Sequence, residues 1–263
     1  MLADLEFDSG ELSVYPALRI FLKGIPIRRP GLQYAVRRLE FDHWLLKRSG
    51  ADLMHHQVKK IRDEAGIFIL DEKYSCDVLI GAGGTHCPVY HQLFKERSPR
   101  SGARIAALEV EFQFDWMDPR PQLRFFDHGL PGYSWYLPKK GGWLNLGVGG
   151  NAQVIKDRNQ TINSHWDHLL DTLHQSGLVI DTVPDPDGYL YYLQGSEFSL
   201  QTGSAYLVGD AAGLATLDMG EGIGPAVLSG IKAAEAVLDR KPYSLEDLSH
   251  VSLLPGWLGR FLS

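Results

Sequence analysis

The run Ala205-Tyr206-Leu207-Val208-Gly209-Asp210-Ala211-Ala212-Gly213, continuing to Met219-Gly220-Glu221-Gly222-Ile223-Gly224, constrains the fold more than any other part of the sequence. Four apolar residues read as a buried strand that ends in Gly-Asp. A small-residue turn follows, then a glycine-rich entry into a helix through Val227, Leu228, Ile231, Ala234 and Leu238. An ionised carboxylate only accepts hydrogen bonds, so Asp210 at a strand end suits sugar or polyol hydroxyls. Glycines at the start of a helix let backbone N–H groups approach a phosphate closely. The plainer alternative is a strand–turn–helix with Asp210 as a turn residue or cap, as any α/β protein can carry.

The remaining pattern is mixed. Residues 1–30 read as irregular, because Pro16, Pro26 and Pro30 interrupt them. Val36, Leu39, Phe41, Trp44, Leu45 and Leu46 recur at roughly helical spacing, and Gly50 is placed to stop that helix. Strands are expected at Asp52–Ile61, Gly66–Leu70 and Asp77–Ile80, the last ending in the turn Gly81-Ala82-Gly83-Gly84. Ile105–Phe114, Gln122–Phe126, Ser134–Leu137 and Trp143–Val148 read as antiparallel sheet. A helix over Asn163–Gly177 has Trp166, Leu169, Leu170 and Leu173 on one face, and Tyr189–Leu193 is a further strand. In the terminal helix the small residues Ala226, Gly230, Ala233 and Ala234 would allow close approach to a sheet. This order of α/β material, a mostly β insert and α/β material again predicts a discontinuous nucleotide domain interrupted by a sheet.

Bulk properties exclude several classes. With 26 basic and 32 acidic side chains the net charge is -6, and no Lys/Arg run forms a stripe for nucleic acid. Cys76 and Cys87 form no Cys-x-x-Cys pair, which points to a reducing, cytoplasmic setting without a disulfide framework. No apolar run approaches the ~18 residues of a membrane span; a peripheral membrane contact stays open. His55-His56 and His165-x-x-His168 lack carboxylate or cysteine company at metal-site spacing, so surface histidines and no metal are expected.

The Gly-Asp run closely resembles the C-terminal FAD-contacting motif of flavoprotein hydroxylases and of the geranylgeranyl reductase family. Three further segments match that resemblance in order. Arg38-Leu39-Glu40-Phe41-Asp42 resembles the family's Arg-x-x-Phe-Asp helix, where the arginine lies near the pyrophosphate. Asp77 to Gly84, followed by Cys87-Pro88-Val89, resembles its middle motif, with Gly83, Cys87 and Tyr90 where many relatives have Asp, Ser and Arg. The loss of that Asp and Arg leaves use of NAD(P)H open, and Cys87 reads as a small buried residue. Gly132-Tyr133-Ser134-Trp135-Tyr136-Leu137-Pro138 resembles the Tyr-x-Trp-x-Phe-Pro segment that lines the substrate side of the flavin.

The resemblance covers about residues 34–240. It implies an α/β (mixed α+β) chain with an incomplete, discontinuous Rossmann-like FAD-binding domain and an inserted antiparallel β-sheet substrate domain. The expected division is 1–100 and 196–263 for the former and 101–195 for the latter. Arg38, Gly209, Asp210, Gly220, Glu221, Gly222 and Ile223 would bind FAD, and Tyr133 and Trp135 would face a small apolar, isoprenoid-like substrate. No acid/base residue is indicated. The family's opening strand–Gly-x-Gly-x-x-Gly–helix unit has no counterpart before Arg38, where glycine occurs only at Gly10, Gly24 and Gly31. Its absence would weaken FAD binding unless an N-terminal segment or partner chain supplies it. The implied activity is an FAD-dependent oxidoreductase; a flavin monooxygenase or halogenase, and a non-catalytic partner subunit binding an apolar ligand, are the alternatives.

Overall fold

A computed structural model describes residues 12–97, 99–195 and 199–252. The chain begins with a hairpin of β1 (Ser13–Leu22) and β2 (Ile25–Ala35), followed by helix α1 (Arg38–Ser49). The short strands β3 (Ile61–Glu64), β4 (Ile67–Leu70), β5 (Tyr74–Cys76) and β6 (Leu79–Gly81) come next. Longer strands follow: β7 (Arg104–Gln113), β8 (Gln122–Phe125), β9 (Gly132–Lys139) and β10 (Trp143–Asn151). Helices α2 (Ala152–Asp157) and α3 (Ile162–Gln175) precede β11 (Asp187–Tyr192), β12 (Gln201–Thr202), β13 (Ala205–Leu207) and α4 (Ile223–Leu238).

Among the described residues these elements gather into two compact units, each made of two chain segments: 12–54 with 106–189, and 55–105 with 190–252. Residues 12–54, expected with the nucleotide-binding part, lie in the first unit. That unit is built on a seven-stranded mixed sheet in the order β11-β7-β10-β9-β8-β1-β2. β1 runs parallel to β8, with Arg19 opposite Gln122, while β9 runs antiparallel to its neighbours β8 and β10. One face of the sheet is sealed by α3, whose Trp166, Leu169 and Leu173 pack on Tyr136, Leu144, Leu146 and Val148. Thr161 caps α3 by accepting from Ser164 N–H at 3.1 Å, as the helical spacing requires.

The hairpin corrects the reading of residues 1–30 as irregular, for the part that is described. Lys23 and Gly24 both adopt positive φ, the conformation of a tight hairpin turn. Pro16 sits where the β1–β2 register shifts, and Pro26 and Pro30 lie on β2, the outermost strand. A proline lacks the N–H that an inner strand must donate, so the edge and the bulge are where it is tolerated. The expected strand over Asp52–Ile61 also fails: β3 starts only at Ile61. Asp71 explains why, since its carboxylate accepts from the N–H groups of Lys59 and Lys60, taking donors that a neighbouring strand would use. Gly50 ends α1 in the left-handed conformation, as expected.

The second unit holds a three-stranded sheet, β12-β13-β6, with β13 parallel to β6, and a separate antiparallel sheet, β3-β4-β5. Helix α4 packs Ala233 and Ala236 on Tyr206 and Val208. Its large apolar residues point elsewhere: Leu228 and Ile231 are exposed, and so are Ala226 and Ala234. Small residues spaced along the inner face let the helix axis come close to β13. Among the described residues no helix is long and apolar enough to cross a membrane, and no group of three His, Cys, Asp or Glu side chains is arranged to hold a metal.

Candidate functional site

The Gly-Asp run folds as a strand end, a tight turn and a helix start. β13 stops at Leu207, Val208 N–H donates to Gly81 O at 3.1 Å, and Gly209–Ala211 form a single 3-10 turn. Gly209 has φ +54°, and a Cβ there would lie 3.0 Å from Ala226 Cβ of α4, so both the conformation and the space call for glycine. Its N–H donates to the fully buried Ser229 Oγ at 3.0 Å, which pins the turn to the second turn of α4.

Asp210 is half-buried, and its carboxylate lies directly against Gly222, where an added Cβ would sit 3.0 Å from Oδ1. The glycine-rich helix entry is thus in contact with the acid. Gly220 has φ +61°, and a side chain there would strike Tyr191. Ile223 is the first residue of α4, and Gly222 flanks it. Glu221 Oε1 accepts from Gly224 N–H at 2.8 Å, and its own N–H donates to Thr216 Oγ1 at 3.0 Å. It caps the helix, placing negative charge where the helix dipole is positive. The Asp210 acceptor carboxylate fits the polyol of a flavin dinucleotide, and the helix start offers N–H groups to phosphate at Gly222 and Ile223, that of Gly224 being taken by Glu221.

Sequence reasoning missed Arg100. Its guanidinium donates from Nε and Nη2 to Ala211 O at 3.2 and 2.6 Å, and from Nη1 to Thr85 O at 2.8 Å. It therefore ties the Gly-Asp turn to the Gly84–His86 turn of the middle motif. The plane stacks on Tyr90 at 3.6 Å, and Tyr90 Oη accepts from Arg100 N–H at 3.1 Å. Burial pulls the Arg100 pKa below the ordinary arginine value, against the opposing pull of Tyr90, Tyr192, Cys87 and Asp210. Tyr90, which stands where many relatives have arginine, is thus the platform for another arginine. Cys87 is buried beneath Gly81, as read, and Gly84 takes a positive φ.

The remaining candidates lie in the first unit. Arg38 is exposed and forms an i,i+4 pair with Asp42, Nε–Oδ1 3.2 Å and Nη2–Oδ2 3.0 Å. Its neighbour Arg37 is the enclosed one, paired with Glu111 at 2.8 Å and lying 3.5 Å over the Trp143 ring. Tyr133 and Trp135 share one face of β9, ring centroids 5.6 Å apart, on the side opposite α3. Trp135 lies flat over Gly147 of β10, where a Cβ would fall 2.7 Å from Cη2 and closer still to Cζ2. Its Nε1–H donates to Asn145 Oδ1 at 2.7 Å. His165, expected at the surface, is instead 3% exposed, with neither ring nitrogen hydrogen-bonded.

No protein-family model matches the chain. An uncharacterized protein of Methanosarcina barkeri is 28% identical over 223 residues, 77% of this chain and 51% of that one, so the chain spans about half the length of the curated relative it matches. A geranylgeranyl bacteriochlorophyll reductase-like protein from Thermoplasma acidophilum superposes with a TM-score of 0.72 and 22% identity, over 92% of this chain and 67% of that one. The flavin-dependent halogenase CmlS gives 0.62 and 19%, over 91% and 48%. PqsL of Pseudomonas aeruginosa, a probable FAD-dependent monooxygenase, gives 0.63 and 14%, over 89% and 71%. The chain has the fold shared by geranylgeranyl reductase-like proteins and by FAD-dependent halogenases and monooxygenases.

Proposed function

We propose that the chain supplies the Gly-Asp arm and the substrate sheet of an FAD-dependent oxidoreductase acting on a largely apolar, isoprenoid-like substrate. The observation that carries this reading is the contact of the Asp210 carboxylate with Gly222 at the glycine-rich start of α4. Asp210 would accept from ribityl hydroxyls, Gly209 and Gly220 would shape the turns through their positive φ, and the N–H groups of Gly222 and Ile223 at the start of α4 would meet the pyrophosphate. Arg100 would hold the two turns of this arm at fixed separation. Arg38 would meet phosphate by exchanging Asp42 for it, which a surface pair worth about 0.3–0.5 kcal/mol permits. Tyr133 and Trp135 would pack on substrate and exclude water. Bound FAD would provide hydride or oxygen chemistry that the side chains themselves do not.

The test is the visible absorption of the purified chain before and after incubation with excess FAD and removal of free cofactor. Flavin bands near ~370 and ~450 nm, weakened at least tenfold in affinity by Asp210→Ala with unchanged circular dichroism, are the expected result. A folded protein that stays colourless refutes the reading for this chain alone. The likeness to CmlS and PqsL favours a monooxygenase or halogenase as the second reading. Oxygen-consuming NADPH oxidation that yields a hydroxylated or halogenated product would select it.

A further inference from the structure

Strand β7 carries two carboxylates on one face, Glu109 and Glu111, and the protein treats them differently. Glu111 takes Arg37 Nε at 2.8 Å on one oxygen and Lys139 Nζ at 2.6 Å on the other. Glu109 has no ion-pair partner among the described residues. It accepts from Asn145 Nδ2 at 2.6 Å, and Asn145 Oδ1 accepts in turn from Trp135 Nε1 at 2.7 Å. Both amide ends of the buried Asn145 are thereby used, and its orientation is fixed. A carboxylate has about four acceptor positions, so most of the Glu109 capacity is uncommitted. A half-buried charge left so lightly paired costs free energy unless something else hydrogen-bonds to it.

The surroundings indicate what that is. Leu123 pairs with Trp135 and Phe125 with Tyr133 on the side of the sheet away from α3; Leu123 is buried, and Phe125, Tyr133 and Trp135 form the accessible apolar patch. Glu109 stands two strands from β9 at the end of the Trp135–Asn145 row. An apolar molecule lying on the patch would bring its polar end to an acceptor-only, negatively charged group. We infer that Glu109, positioned by Asn145 and Trp135, selects substrates whose polar end is a hydrogen-bond donor, an alcohol or an amine, over those ending in phosphate or carboxylate. The inference rests on the reading of the Tyr133–Trp135 face as the substrate side.

The test uses the full chain without added flavin and three probes below their critical micelle concentrations: decanol, decylamine and decyl phosphate. Binding is followed by tryptophan fluorescence. Decanol and decylamine are expected to bind roughly tenfold or more tightly than decyl phosphate, the size of effect a charge-assisted hydrogen bond gives. Glu109→Gln, which keeps the shape and the Asn145 bond, should bring the three within about threefold by the same measure. Asp157→Asn, removing a surface carboxylate on α2, should leave the preference in place, which separates a local effect from net charge. Trp135→Phe should reduce the preference by freeing Asn145. A preference unchanged in Glu109→Gln, or tighter binding of the phosphate by the unmodified chain, overturns the inference alone. Binding of none of the probes overturns it together with the substrate-face reading, while FAD uptake in the absorption experiment judges the cofactor reading separately.

Discussion

Replacing Gly147 with alanine tests whether the aromatic face is a packed surface or a loose one. The new methyl would overlap the Trp135 indole, lying 2.7 Å from Cη2 and nearer to Cζ2 and Cε2, and β10 is too enclosed between Leu146 and Val148 to retreat. The ring must therefore tilt by about 1 Å or more to regain ordinary carbon contact. Overpacking of this kind costs about 1–3 kcal/mol. The tilt also breaks the 2.7 Å bond to Asn145, leaving a buried amide oxygen unpaired at a further cost of about 1 kcal/mol. The expected loss is about 2–4 kcal/mol in urea unfolding followed by circular dichroism, with a red shift of tryptophan emission. In a Trp135→Leu background the same substitution should cost less than about 1 kcal/mol, because the clash has been removed. Equal costs in the two backgrounds would refute the packing argument, and with it the fixed row that ends at Glu109.

Three further outcomes follow from the geometry. Arg100→Lys, which keeps the charge but loses the fork and the stacked plane, should cost about 2 kcal/mol and weaken FAD uptake; calorimetry alongside the flavin spectrum would show whether both move. Gly209→Ala forces a β-carbon into the left-handed region and against Ala226, so a loss of about 1–3 kcal/mol in chemical denaturation is expected. Burial, reinforced by His168, His128 and Arg158, holds the His165 pKa below the ordinary value of 6.5. The unfolded chain therefore takes up protons first, and stability is lost as pH falls below about 6.5. His165→Leu should flatten that loss between pH 7 and 5, and should add about 1 kcal/mol at pH 7 by removing two unpartnered nitrogens; thermal midpoints across that range decide it.

The parts of the fold that were legible in the sequence are those where residue identity answers a local demand. Gly209, Gly213 and Gly220 all take positive φ, and Gly81 sits too close to Leu207 and Val89 for a side chain. Strand β9 and the amphipathic α3 were legible because burial alternates or recurs at the period of the element, and β7, β8 and β10 because β-rich runs are set off by Pro, Gly and Asp turns. The β1–β2 hairpin was hidden because proline reads as a breaker, and only the tertiary position of β2 as an outermost strand makes it harmless. The small-residue approach of helix α4 to the sheet was legible in kind, but folding selects Ala233 with Ala236 for it and leaves Ala226 and Ala234 exposed. Arg100 has no local signal at all: its partners Thr85 and Ala211 are brought to it by folding. The same holds for Glu109 and Asn145, whose significance depends on what Glu111 already has.

The strand pairings also set a timetable for synthesis. β1 cannot find its parallel neighbour until Gln122, 103 positions after Arg19, has left the ribosome, and β6 waits for Ala205, 126 positions after Leu79. Joining ends that far apart carries an entropic cost of about 4 kcal/mol each. The two intervals overlap, so the first unit matures while half of the second is still waiting for its other strand. During that interval Leu79 and Ile80 form an unpaired apolar edge on the nascent chain, a natural point for chaperone capture.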